Sequence, residues 1–276
     1  MRVFTAGTTR VVAVIGPFPA ITVPATGCAP AARNVVHVPP GHHRSFPDVH
    51  VDAGVRALAN VRYPTACGQE LNLDVCLPYS GRVVGTARLA IVAFHGGSWT
   101  TGDKVARGWR TVCDWLAAAG YVTVSFSYRL APALLGTLGS GSLSIGHGVA
   151  AVAEFSGPTD LTASGKSGRW FIPLEEGNLG CHRLTACPQA AASSPIDHVN
   201  RSDPPYFISH STSELTPLGQ GLSFARKLRA SGVPVTLGIV AGHQHSIVTL
   251  DSAMCIRVLA FFAAHLRHPL FLGLTG

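Results

Sequence analysis

Charge is scarce in this 276-residue chain: only 13% of it is charged, with 14 Asp and Glu against 21 Lys and Arg. That composition excludes a disordered chain or a coiled coil, both of which are charge-rich. Long apolar runs are missing too; none approaches the ~20 residues of a membrane span. The formal charge of +7 comes from basic residues scattered singly along the chain. Their densest cluster, Arg226, Lys227 and Arg229, falls late in an expected helix, where cations complement the helix dipole. No basic stripe is interleaved with aromatics, so no nucleic-acid partner is expected. No Cys/His spacing fits a zinc site, and no metal is expected. Internal repeats are absent.

What is present is apolar bulk. At 47% hydrophobic content the chain can bury one large α/β core. Residues 1–45 are rich in Pro, Ala and Val without periodicity and read as a leader and linker; 46–276 form the domain. Arg2 and Arg10 precede an apolar stretch over 11–23 that ends near Ala25-Thr26-Gly27-Cys28. It reads either as a signal segment, with Cys28 at a faint lipoprotein-type cleavage site, or as a leader broken by Pro17, Pro19 and Pro24. The expectation is export to the cell envelope or beyond, with the cytoplasm as the alternative. Two close cysteine pairs, Cys67 with Cys76 and Cys181 with Cys187, agree with an oxidising compartment. Cys113 and Cys255 fall on apolar helix faces and are expected to be reduced.

Strand and helix signals alternate from residue 71 onward. Residues 71–77 alternate as a half-buried strand does, and 89–94 form a continuous apolar run expected of a strand covered on both faces. A helix is expected after Asp103, its N-cap, and ends at Gly120. Strands follow at 121–128, 149–155, 205–208 and 235–240; helices are expected over 218–231 and 252–266. This alternation implies a doubly wound, mostly parallel sheet.

Five strings then carry a resemblance: His95-Gly96-Gly97-Ser98-Trp99, Tyr128-Arg129-Leu130-Ala131-Pro132, Gly157-Pro158-Thr159-Asp160-Leu161, His210 through Pro217, and Gly242-His243-Gln244-His245-Ser246. In this order they resemble the α/β-hydrolases of the acetylesterase/lipase group, related to hormone-sensitive-lipase-like carboxylesterases. The resemblance implies hydrolysis of a small-molecule carboxylic ester by a Ser–Asp/Glu–His triad, with no cofactor. It places the general base on His245, with His243 as a decoy two residues earlier, and the acid on Glu214, with Asp160 as the competitor. Gly96 and Gly97 would form the oxyanion hole, since glycine lets backbone N–H groups approach a developing oxyanion. His95, Ser98 and Trp99 would line the pocket. A prolyl-oligopeptidase-type peptidase shares the fold, but no propeller domain precedes these strings.

One part of the pattern is missing. No Gly-x-Ser-x-Gly occurs anywhere in the chain. Only 24 residues separate Pro132 from Gly157, too few for the strand, elbow and two helices that the family keeps there. The expectation is an internal deletion near 132–148 that removed the nucleophile with its central strand. Ser144, in the Gly- and Ser-rich run 139–146, is the nearest stand-in, but it precedes a strand where an elbow must follow one. An inactive hydrolase-fold remnant or binding protein is therefore the alternative to an esterase.

Overall fold

The computed structural model describes residues 11–15, 55–64, 70–78, 89–130, 149–162 and 165–266. Its strands are β1 (Val11–Ile15), β2 (Arg56–Pro64), β3 (Glu70–Leu77), β4 (Ala90–Phe94), β5 (Val122–Phe126), β6 (Val149–Phe155), β7 (Tyr206–Ser211) and β8 (Val235–Val240). Its helices are α1 (Trp109–Ala118), α2 (Ile172–Leu179), α3 (Pro188–Ala192), α4 (Leu218–Ala230) and α5 (Ser252–Leu266). The strands form one sheet in the order β2-β3-β5-β4-β1-β6-β7-β8. The β2–β3 and β3–β5 pairings are antiparallel, and every other pairing is parallel.

Helices cover the sheet on both faces, as its apolar strands require. Phe207 packs in a core with α1 and α5, where Val112, Leu116, Val258 and Phe262 are fully buried. Its neighbour Ile208 points the other way, into a core with Phe224, Ala225 and Leu228 of α4. Successive strand residues point to opposite faces, so β7 ties both helical layers to the sheet. A smaller core joins Trp99 and Leu161 to Phe171, Leu174 and Leu179 from the region of α2.

The expected gap at the centre of the sheet is not seen. The position between β4 and β6 is filled by β1, which comes from the N-terminal region assigned to the leader. Val11 to Ile15 run parallel to Ala90 to Phe94 in continuous register, and they pair on the other side with Val149 and with Val152 to Glu154. The run Val-Val-Ala-Val-Ile is β-branched and apolar, the composition suited to a strand with neighbours on both sides. The stretch 132–148 lies outside the described residues, and so do Cys28 and Cys67.

Two further expectations are corrected. Cys76 bonds to Cys113, not to Cys67, because α1 lies across β3 and brings their Cα atoms to 5.8 Å. Closing a loop of 37 residues restricts the unfolded chain, with a stabilisation of about 4 kcal/mol. Cys181–Cys187 is bonded as expected, and Cys255 is buried and free. Asp103 does not cap α1, which starts at Trp109 behind Gly108; its carboxylate accepts from the Val105 N–H one short turn earlier.

Candidate active site

Parallel strands end at the same edge of a sheet, so the loops after β4, β6, β7 and β8 gather there. The loop after β4 carries His95-Gly96-Gly97. Gly97 has φ +134°, and a Cβ on it would lie 1.8 Å from the Thr101 carbonyl oxygen, so only glycine fits. Its own carbonyl accepts from the N–H groups of Thr100 and Thr101 at 3.1 and 3.0 Å. Ser98 and Trp99 follow with φ of 50° and 61°, left-handed values that cost of order 1–3 kcal/mol each. Burial of Trp99 against Phe171, with ring centroids 5.7 Å apart, offsets part of that cost.

His95 supports this turn from beneath. Its Nδ1 sits 2.7 Å from the Gly96 carbonyl, which can only accept, so Nδ1 carries the hydrogen. The ring stacks on Tyr128 at 4.2 Å, and the Tyr128 hydroxyl donates to the His95 carbonyl at 2.8 Å. Burial lowers the His95 pKa, which keeps the ring neutral. His95 and Trp99 are thus buried supports of the glycine turn, where the sequence suggested pocket lining. Large rings hold a strained turn; a substrate surface would leave them exposed.

The loops after β7 and β8 are laced together, and this lacing brings positions 214 and 245 into contact. Thr212 N–H donates to the Val240 carbonyl and Ser213 N–H to the Gly242 carbonyl, while Gly242 N–H donates back to Thr212 Oγ1 at 3.0 Å. His243 Nδ1 donates to the Ser213 carbonyl at 2.6 Å, so the decoy histidine is spent on the lacing. His245 Nδ1 then meets Glu214 Oε2 at 2.6 Å. The Glu214 side chain is fully buried, whereas that of His245 is 30% exposed. The Glu214 side chain thus spans from the loop after β7 to the imidazole carried by the loop after β8.

Glu214 is saturated. Its Oε1 accepts from the Ser211 N–H at 2.7 Å and lies 3.1 Å from His210 Nδ1. The other ring nitrogen of His210 lies 3.5 Å from Glu154 Oε2. Burial alone would raise the Glu214 pKa, but His210 and His245 outweigh it and hold the carboxyl down at about 2. For His210 burial would favour the neutral ring, but Glu154 and Glu214 push its pKa up to about 10. Ser156, directly after β6, has φ 60°, and its Oγ accepts from the Ser246 N–H at 2.8 Å. That bond draws the His245 loop back over the end of β6. The ends of β4 and β6 lie two strand spacings apart, about 10 Å, with β1 between them.

The sequence did not single out Glu154, His210 or Ser156 as site residues. Glu154 did carry a signal: a lone charge in the apolar strand Val149–Phe155 must find a partner. Asp160 accepts from the Thr162 N–H and hydroxyl at 2.9 and 2.6 Å, a local turn that uses its carboxylate. Ser144 lies outside the described residues. Among the described residues, no side-chain hydroxyl or thiol is hydrogen-bonded to His245. The sequence after β1 reads Gly16-Pro17-Phe18-Pro19-Ala20-Ile21, without a hydroxyl or thiol. Among the described residues no His/Cys/Asp/Glu cluster could hold a metal, and no helix is long and apolar enough to cross a membrane.

No protein-family model matches this chain, and no curated protein matches it in sequence. Solved structures do. A truncated carbohydrate esterase from gut microbiota superposes with a TM-score of 0.61 at 18% identity, covering 81% of this chain and 100% of that one. A thermophilic esterase of the planctomycete Thermogutta terrifontis gives 0.58 at 18% identity, covering 81% and 95%. Esterase B from Lactobacillus Rhamnosis gives 0.58 at 17% identity, covering 80% and 88%. At these identities the likeness is one of fold.

Proposed function

We propose that this chain, whose fold is that of the α/β-hydrolases, acts on small-molecule carboxylic esters with a His–Glu dyad and a glycine oxyanion hole, using water as the nucleophile. The observation that carries this reading is the 2.6 Å contact between His245 Nδ1 and the buried Glu214 carboxylate. It fixes the ring with Nδ1 protonated and leaves Nε2, on a partly exposed ring, to accept a proton. Water attacks the acyl carbon as Nε2 takes its proton. The carbonyl oxygen then carries negative charge toward the Gly96 and Gly97 N–H groups. As the acyl C–O bond breaks, His245 returns the proton to the leaving alcohol. Glu214 stabilises the imidazolium between the two transfers.

Without a side-chain nucleophile the rate is modest. A positioned general base contributes about 10²–10⁴-fold, and no covalent step adds to it. The test is p-nitrophenyl acetate turnover, with His245→Ala expected to lose the general-base factor of about 10²–10⁴-fold. Equal rates in the two proteins would sink the proposal. A second reading, a non-catalytic ester-binding protein, draws on the absence of a hydroxyl or thiol in residues 16–21 after β1. It predicts saturable ester binding with no turnover above buffer. The two disulfides support placing the protein in an oxidising compartment outside the cytoplasm.

A further inference from the structure

We infer that His210 is a positioning residue: a buried cation, clamped between Glu154 and Glu214, that locks the Glu214 carboxylate in the orientation presented to His245. This deepens the dyad reading above, and its test reads protonation, so its failure is distinguishable from a failure to find turnover.

The argument begins with hydrogen count. His210 is 1% exposed and lies on β7 with a carboxylate oxygen facing each ring nitrogen: Glu214 Oε1 at 3.1 Å from Nδ1, and Glu154 Oε2 at 3.5 Å from Nε2. A neutral imidazole has one N–H and one lone pair, so one of its nitrogens would direct a lone pair at a carboxylate. Only the doubly protonated ring presents an N–H on both sides. Neither contact is well aligned with a ring N–H direction, so the attraction is that of charges held close.

Among the described residues, no other charged group faces the ring. On the α4 side, a Cβ added at Gly221 would come within 2.5 Å of the ring, so that helix backbone seals the imidazole in. The charged groups facing His210 are Glu154 from β6 and Glu214 from the loop after β7; α4 contributes Gly221, which is uncharged. Glu154 Oε1 accepts from the Gly157 N–H, which fixes that carboxylate from the other end. The result is a row in which carboxylates and imidazoles alternate, Glu154, His210, Glu214, His245, with the partly exposed member at the end.

Two consequences follow for His245. The cation holds Glu214 Oε1, so the carboxylate cannot rotate away from the imidazole bonded to Oε2. It also offsets part of the negative charge that His245 faces. An uncharged side chain at 210 would leave two buried carboxylates facing each other and drive a proton onto one of them.

The test is nitrogen-15 NMR of the histidine side chains in the full chain. At about pH 8, where ordinary histidines are neutral, both His210 ring nitrogens should show imidazolium shifts. Glu154→Gln should bring the His210 titration down into the accessible range. His210→Asn keeps a donor toward Glu214 but removes the charge, and should displace the His245 titration from its wild-type position. A neutral His210 in the wild-type protein at that pH would overturn the inference. So would an unchanged His245 titration in a folded His210→Asn protein. The wild-type measurement decides even where a variant fails to fold.

Discussion

Replacing Ala13 by proline tests whether the N-terminal strand completes the sheet. Ala13 sits at the middle of β1, paired with Val92 on one side and Val152 on the other. Proline has no N–H to donate to the ladder, and it is not tolerated between two paired neighbours. The lost bond amounts to about 1 kcal/mol, and the buried carbonyl left without its donor adds about 1–3 kcal/mol. A loss of about 3 kcal/mol corresponds, in a domain of this size, to a fall in Tm of roughly 6–12 °C. Thermal unfolding followed by circular dichroism reads the shift. Amide exchange at residues 12–14 reads the pairing directly, and protection there should match that of the neighbouring β4. A Tm unchanged within about 1 °C, together with fast exchange over residues 12–14, would refute the reasoning.

Gly97→Ala should cost both stability and turnover, because a Cβ cannot sit 1.8 Å from the Thr101 carbonyl oxygen unless the turn opens. Turnover should drop by about 10²–10³-fold, the usual effect of losing an oxyanion donor, as measured with p-nitrophenyl acetate. Stability should also vary with pH at both ends. The Glu214 pKa is depressed from 4.5 to about 2 on folding, so its stabilisation is present above pH 4.5 and fades as pH falls toward 2. The His210 pKa is raised from 6.5 to about 10, so its stabilisation is present below pH 6.5 and fades as pH rises through 10. Denaturant unfolding across this range should show a plateau between the two limbs, and Glu214→Gln should flatten the acid limb.

Much of the sheet could be read from the residues because its strands are buried on both faces and its later helices are long. Strands β6 and β8 and helix α5 have the bounds that their apolar runs suggested. Elements with weaker patterns were missed. Strand β2, Arg56–Pro64, lies at the sheet edge and mixes polar with exposed apolar residues, so it shows no clean alternation. Helix α2 spans only eight residues and contains both Pro173 and Gly177, which read as breakers. Strand β1 was hidden by its position, since no local pattern tells that a five-residue run will pair with strands about 80 and 140 residues away.

The candidate site was legible where backbone demands a particular residue and obscure where a side chain acts through another. Gly97 stood out because a tight turn leaves a mark in sequence, and the Glu214–His245 pair was implied by the resemblance carried by the two strings that contain them. His210 and Glu154 meet only through the parallel register that sets Glu154 beside Ile208. Ser156 is a common residue after a strand, and its role under the His245 loop appears only when β8 and its loop are in place.

The most direct test of the account combines turnover with intact mass. The protein is incubated with a fluorophosphonate, weighed by mass spectrometry, and assayed for p-nitrophenyl acetate hydrolysis. The account predicts slow hydrolysis that depends on His245, with no phosphonyl adduct on any side chain. A stoichiometric adduct on a serine would contradict it.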